Sequence, residues 1–342
     1  MRTLARTGEP DQGDGPGADS ARRLHADSGL PDRVFRAVAR GGGSLVLVVM
    51  LLVGGFLLYR AWQALRKVGV PAFLTTAEWD PDAGHFGIAA VIIGTVLIAA
   101  VAIVIAVPMA IGTALYISEY APARLRRTLV STVDLMAAVP SVVYGLWGLF
   151  FLQGTVIGLA RWLSTYFGWI PLFHVDGADP HDPLATATVY TASTFVAGIV
   201  VAMMVTPIIC SIIREVFSQA PVGEREGAYA LGATRWGMIR SVVLPYGMGG
   251  MIGGTMLGLG RALGETIGVY LVISPIFVIQ PHILQSGTSS VSSLIALRYG
   301  EASPLGMSAL MAAGLALFLM TLVVNFAASS IVARSRSGAT AE

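Results

Sequence analysis

The chain has 342 residues, of which 55% are hydrophobic and only 12% charged, and its mean hydropathy is +0.72. A water-soluble protein of this length needs a far more polar exterior, so the composition is that of a membrane protein. The formal net charge of +2 gives no footprint for a nucleic-acid partner, and the single cysteine, Cys210, excludes an intrachain disulfide.

Residues 1–30, rich in Gly, Asp and Ser, read as a disordered tail. They are not a cleavable signal: the polar part is long, the apolar run that follows continues past Leu58, and no A-x-A site is evident after that run. In "PDRVFRAVAR", Val34, Phe35 and Val38 can share one helical face with Arg33, Arg36 and Arg40 elsewhere. That stretch fits either a short helix on the membrane surface or the start of the first span. Apolar runs long enough to cross about 30 Å of hydrocarbon at about 1.5 Å per residue lie near 43–63, 87–118, 128–153, 188–213, 243–273 and 303–332. The expectation is an all-α membrane protein of six transmembrane helices.

Six crossings place both termini on one side. With that side inside, the inner segments hold 16 Lys and Arg against five on the other face, so the positive bias puts both termini in the cytosol. The domain expectation is a tail at 1–30, then a surface helix, first span and outer loop at 31–86, a core at 87–335 and a C-terminal tail at 336–342.

In the third span, "AAVPSVVYGLWG" (137–148) carries Pro140. A proline inside a span frees a backbone carbonyl, which is tolerated where a neighbouring helix or a cavity satisfies the exposed groups. Ser141 and Tyr144 follow it and can offer hydroxyls to an anion; alternatively Ser141 bonds back to its own helix at a plain kink. Asp134, two turns earlier, is expected to pair with Arg126 or Arg127.

The outer loop "HVDGADPHD" (174–182) fits a solvated turn or a docking surface for an external partner better than a metal site. The histidines, at 25, 85, 174, 181 and 282, lie outside or at the edges of the spans, which argues against an intramembrane hydrolase and against a histidine-held haem. The only lysine, Lys67, has no glycine before it in "LRKVGV", so a Walker A loop is excluded.

The longest inner loop, 214–247, contains "REVFSQAPVGEREGAYALGATRWGMIRSVVLPYG". Pro221 suits a first helical turn, Glu224 to Leu231 favours helix, and Gly232 permits a sharp stop. A second short helix from Thr234 then leads through Pro245 into the fifth span, giving a helix-turn-helix against the inner face.

The fifth span holds "GLGRALGETIGV" (258–269). From Arg240 to Arg298 the only charges are Arg261 and Glu265. Arg261 lies about 24 Å beyond Pro245 at about 1.5 Å per residue, at or beyond the membrane midplane. An arginine there costs from about 3 kcal/mol upward unless paired or hydrated. On a continuous helix Glu265, four residues on, is its natural partner, and two readings stay open. The pair is either a structural ion pair, or Arg261 presents its remaining donors to an anionic substrate while Glu265 orients it. The glycines of "GGMIGGTMLGLG" (249–260) space G-x-x-x-G at 249/253, 250/254 and 254/258, which permits close helix packing.

Glu226-Gly227-Ala228, then Gly232 six positions after the glutamate, then Val242-x-Leu244-Pro245, resembles the "EAA" loop of ABC importer permeases, E-A-A-x3-G-x9-I-x-L-P. The departures are Gly227 for Ala and Val242 for Ile. In that family the loop supplies a coupling helix that enters a groove on a separate ATPase; the resemblance implies that role for 214–241, with Tyr229 as anchor and Leu244 and Pro245 closing the motif.

"AAVPSVVYGLWG" and "GRALGETIGV" together resemble the phosphate-specific ABC permeases, closer to the PstC type than to the PstA type, over roughly 87–335. The resemblance implies a type I ABC importer permease fold in a bacterial cytoplasmic membrane, with half of a pathway for inorganic phosphate. Its substrate contacts would be Arg261, Glu265, Ser141 and Tyr144. The implied partners are a PstA-type permease, two PstB-type ATPases, an extracytoplasmic PstS-type phosphate-binding protein and membrane lipid. No cofactor or metal is implied for this chain, which would not itself be an enzyme, since ATP and Mg are used by the partner ATPase. The rival readings are a permease for another oxyanion such as sulfate or molybdate, a non-transporting membrane anchor or sensor, and a secondary transporter.

Overall fold

The computed structural model describes residues 30–176 and 187–337. Residues 1–29, most of the 174–182 loop and residues 338–342 lie outside the described residues, and with them most of the expectations for the two tails.

Two compact units meet at Leu52 and Val53. In the first, helix α1 (Leu30–Val68) begins, with an exposed Asp32–Arg36 pair at 3.4 Å. The helix has no break at Gly41–Gly43.

In the second unit, α1 is followed by α2 (Val70–Thr75) and a two-residue antiparallel hairpin, Trp79–Asp80 with His85–Phe86. Then come α3 (Ala89–Leu115) with a π-helical turn at Tyr116–Tyr120, α4 (Ala123–Ala138), α5 (Ser141–Trp147) running through a π turn into α6 (Gln153–Phe167), and α7 (Thr194–Ser218). The rest is α8 (Val222–Ala230), α9 (Arg235–Met238), α10 (Leu244–Gly264), α11 (Ile267–Tyr270), α12 (Val291–Arg298) and α13 (Pro304–Ser337).

Six of these helical stretches are long and apolar enough to cross a membrane: Asp32–Val68, Ala89–Tyr120, Ser141–Phe167, Thr194–Ser218, Arg235–Gly264 and Pro304–Ala327. The third differs from the expected 128–153. Arg124, Arg126, Arg127 and Asp134 make α4 too polar to span. Pro140 then forces Val139 into extended backbone (φ −65°, ψ 129°), which ends α4. Pro140 therefore sits at a helix junction, ahead of α5, rather than inside a span.

The core forms where α3 crosses α7. Ala99, Ala102, Ala106, Ala110 and Ala114 make a fully buried small-residue stripe on α3, facing Ala202, Val205, Ile209 and Ile213 of α7. Lipid gives apolar helices no hydrophobic drive to associate, so such stripes hold them by close van der Waals contact. On α10 the packing stripe is Gly250, Gly254 and Gly258, which abut Val216, Ile209 and Ile212 of α7. Gly249 and Gly253 face open space, so of the three expected G-x-x-x-G pairs only 250/254 and 254/258 serve this contact.

The α1–α13 contact in this unit is tied by a buried hydroxyl: Ser308 donates to the Arg60 carbonyl (2.7 Å) and accepts from the Ala64 amide (3.0 Å). Between α11 and α12 the chain is irregular but not bare. Thr288, Ser289, Ser290, Ser292 and Ser293 are buried, and Ser290 caps α12 by a reciprocal bond with Ser293. Irregular backbone within a membrane bundle requires this kind of cover.

Candidate functional site

The central feature is the break between α10 and α11. The helix stops at Gly264, and Glu265 takes extended backbone (φ −66°, ψ 127°). Its carboxylate accepts the Gly268 amide of α11 at 3.1 Å, and its carbonyl accepts the Ser292 hydroxyl of α12 at 2.7 Å. Glu265 thus joins the starts of two short helices. Because the helix ends between them, Arg261 and Glu265 do not form the i, i+4 pair that a continuous helix would give, and no hydrogen bond or ion pair links them.

Arg261, on the last turn of α10, is exposed and opens onto a cleft of about 500 Å³ lined by Ile208, Leu257, Gly260, Thr321 and Asn325. Among the described residues its guanidinium has no hydrogen-bond acceptor and no acidic partner.

Ser141 and Tyr144 sit beside the break because α5 packs on α11 through glycine. A β-carbon on Gly145 would lie 3.0 Å from the Gly268 α-carbon, and one on Gly268 would lie 3.5 Å from the Ser141 carbonyl. Tyr144 is buried and donates to the Met136 carbonyl at 2.9 Å. Its proton is therefore already used, contrary to the expectation of a free donor. The Ser141 hydroxyl bonds neither its own helix nor any other described residue, and it is only partly buried.

Two cleft residues were missed by sequence reading, Thr321 and Asn325 of α13. A signal was present: Asn325 is the only asparagine in the chain and interrupts the apolar run "MTLVVNFAA", and polar groups within spans mark pathways more often than chance placement does. Asp134 departs from expectation as well. It accepts the Ser211 hydroxyl of α7 at 3.0 Å and forms no ion pair with Arg126 or Arg127 among the described residues.

The second candidate region is the EAA-like loop. Helix α8 ends in a Schellman arrangement: the Gly232 amide donates to the Tyr229 carbonyl (2.9 Å) and the Ala233 amide to the Ala228 carbonyl (3.0 Å). Gly232 has φ +84°, where a β-carbon is strained. Thr234 then caps α9 by accepting the Gly237 amide at 3.1 Å. The loop is therefore built before any partner arrives.

Glu226, Gly227 and Tyr229 are exposed on α8, and Ala228 packs against the core. Leu231 (91% exposed), Val222 (67%) and Trp236 (55%) are apolar and exposed in the same loop as Tyr229 (45%). Leu244 and Pro245 open α10 without a break from the π turn at Ile239–Val243. The loop places a further residue that the motif does not mark. Arg225 pairs with Glu119 at 3.1 Å and donates to the Phe217 carbonyl at 2.6 Å.

A methyl group at Gly227 would meet nothing within 4 Å. Gly227→Ala should therefore stabilise α8 by up to about 1 kcal/mol. We expect slower hydrogen exchange at the α8 amides with transport preserved; unchanged exchange would show that α8 is already rigid.

Bundles of this kind are known. The chain is similar to a bacterial ABC transporter involved in the import of the acidic polysaccharide alginate, at 18% identity and a TM-score of 0.55 over 88% of this chain and 99% of that one. It is also similar to the inward-facing MetNI methionine ABC transporter, at 14% identity and a TM-score of 0.50 over 72% of this chain and 97% of that one. The fold is that of the type I ABC importer permeases.

Residues 106–337 match the family described as binding-protein-dependent transport system inner membrane component. The chain is 40% identical over 311 residues to the phosphate transport system permease protein PstC 2 of Mycobacterium tuberculosis, covering 90% of this chain and 93% of that one. It is 41% identical over 304 residues to PstC of Mycobacterium leprae, covering 88% and 92%. To PstC of Haemophilus influenzae it is 36% identical over 291 residues, covering 82% and 86%. The chain belongs to the binding-protein-dependent inner-membrane permeases and, among them, to the PstC type.

Proposed function

We propose that this chain is the permease subunit of an ATP-driven importer of inorganic phosphate and forms half of its translocation pathway. The observation that carries the substrate is Arg261: a guanidinium with no acid partner among the described residues, opening on a cleft between α10 and α13. Its five donors in a planar fork suit phosphate oxygens. The names of the relatives, phosphate transport permeases over nine-tenths of the chain, agree with that chemistry. The breaks at Pro140 and Glu265 add support, since transport pathways are commonly lined by interrupted helices.

Ser141, whose hydroxyl bonds no other described residue, lies beside the break and serves as a second donor. Glu265 holds the break itself, and Tyr144 positions α5. The exposed patch around Tyr229, with Glu226 and Gly227 beside it and Gly232, Leu244 and Pro245 fixing its ends, docks an ATPase. The complete machine then holds a PstA-type permease, two PstB-type ATPases that use ATP and Mg, and a PstS-type binding protein outside. Both termini lie in the cytosol of a bacterium, as the Lys and Arg asymmetry favours.

ATP binding by the partners would move α8 and turn the cavity outward, and hydrolysis would reset it. Uptake of labelled phosphate in cells lacking and then regaining the chain tests the reading. Phosphate uptake should fall and return, with sulfate and molybdate uptake unchanged; unchanged phosphate uptake would sink it.

A further inference from the structure

Helix α8 has no fully buried residue, so apolar packing alone holds it weakly. One guanidinium supplies its polar fastening. Arg225 reaches three elements: it sits on α8, donates to the Phe217 carbonyl in the last turn of α7, and pairs with Glu119 in the π turn that ends the α3 span. The two terminal nitrogens of Arg225 make these contacts, Nη1 donating to the carboxylate and Nη2 to the carbonyl. The Glu119 side chain is only 5% exposed and that of Arg225 21%. Neither group has another described ionic partner, and the Arg225 Nε is buried without one.

A second tether runs parallel to the first. Arg235, at the start of α9, lies over the Tyr120 ring with its guanidinium carbon 5.3 Å from the centroid. Both helices of the loop are thus fixed to adjacent residues of a span that is not their neighbour in sequence. That span is also the one packed along α7 through the alanine stripe. A push on α8 can reach α7 through the chain, and these two contacts carry it to the end of the α3 span by polar groups as well.

We propose that Glu119 and Arg225 are positioning residues for energy coupling: their ion pair makes α8 and the end of the α3 span move as one body. The proposal rests on the reading of the chain as an ATP-driven permease whose α8 meets an ATPase. Breaking a buried pair leaves the other charge uncompensated, so Glu119→Gln should free α8 from α3 while leaving its exposed docking patch intact.

The test uses the full complex in proteoliposomes and reads phosphate imported per ATP hydrolysed. Glu119→Gln and Arg225→Gln should each assemble, keep ATP hydrolysis within about twofold of the original, and lower that ratio by about tenfold, a usual size for coupling between sites. The reversed pair, Glu119→Arg with Arg225→Glu, should recover most of the ratio, since the two effects are not additive if the residues act together. An unchanged ratio in the single variants, or a reversed pair no better than either one, would overturn the proposal.

Should Glu119→Gln fail to assemble, Tyr120→Leu removes only the Arg235 contact at a half-exposed site. A lowered ratio then supports the tether, and an unchanged one refutes it. A complex of unaltered chains that hydrolyses ATP without importing phosphate would instead overturn the functional reading, before any variant is made.

Discussion

Arg261→Gln should abolish most phosphate uptake while leaving the complex assembled and able to hydrolyse ATP. The guanidinium makes no hydrogen bond or ion pair among the described residues and faces the cleft with Thr321 and Asn325. Its removal therefore breaks no internal bond that the fold uses. Charge-assisted hydrogen bonds are worth about 1.5–3 kcal/mol, and about 1.4 kcal/mol is a factor of ten, so uptake should fall by roughly ten- to a hundredfold. Arg261→Lys should recover only part of it, because the charge returns without the fork.

Glu265 separates this reading from a structural ion pair. If Glu265 held Arg261 by charge, Glu265→Gln would be nearly as damaging as Arg261→Gln. Instead its carboxylate caps α11 through the Gly268 amide. A glutamine can still accept that bond, so Glu265→Gln should be mild and Glu265→Ala worse, by the roughly 1 kcal/mol typical of a lost cap. Uptake assays beside copurification of the partners decide it, and loss of assembly in Arg261→Gln would favour the structural pair.

The difference between the two readings shows where sequence stops being informative. The EAA-like loop was legible because its shape is locally encoded: Gly232 supplies the positive φ, Thr234 the cap, Pro221 the start. The α3 and α7 spans were legible from long apolar runs with no charge inside. The third span was misplaced because its apolar content begins well before Pro140, whereas the helix that crosses begins after it.

At the α10–α11 break, the spacing of Arg261 and Glu265 suited a continuous helix. Nothing in "GRALGETIGV" forbids one. The break is held by a tertiary partner, the Ser292 hydroxyl, on the Glu265 carbonyl, and by the local Gly268 amide on its carboxylate once the helix has ended. The Glu119–Arg225 pair lay further out of reach. Its members are separated by 106 positions and stand in stretches whose charges look like ordinary membrane-edge residues. Only the folded bundle shows that Glu119 is buried.

The largest effect on stability is expected at Gly94. A β-carbon there would sit 2.1 Å from the Ser289 carbonyl oxygen and 3.1 Å from the Thr288 hydroxyl. The obstacle is backbone, and it is held on several sides. The Thr288 amide donates to the Ser274 carbonyl (3.1 Å), the Ser289 hydroxyl to the Ile276 carbonyl (2.8 Å), and the Val291 amide to the Thr95 hydroxyl (2.9 Å). Gly94→Ala must therefore push α3 away from this segment or tear those bonds. Overpacking alone costs about 1–3 kcal/mol, and each buried hydrogen bond lost adds about 1 kcal/mol.

The damage should not stay local, because α12 starts at this segment and carries Ser292, whose hydroxyl bonds the Glu265 carbonyl. Displacing it loosens the break beside Arg261, so uptake should fall together with thermal stability. Gly112, on the same helix with nothing within 4 Å of its would-be β-carbon, is the control. Gly112→Ala should leave the melting temperature in detergent unchanged or slightly raised, and Gly94→Ala should lower it by several degrees. Equal melting of the two variants would mean that α3 and the 288–291 segment are not in close contact, and that the break at Glu265 is held by something other than this packing.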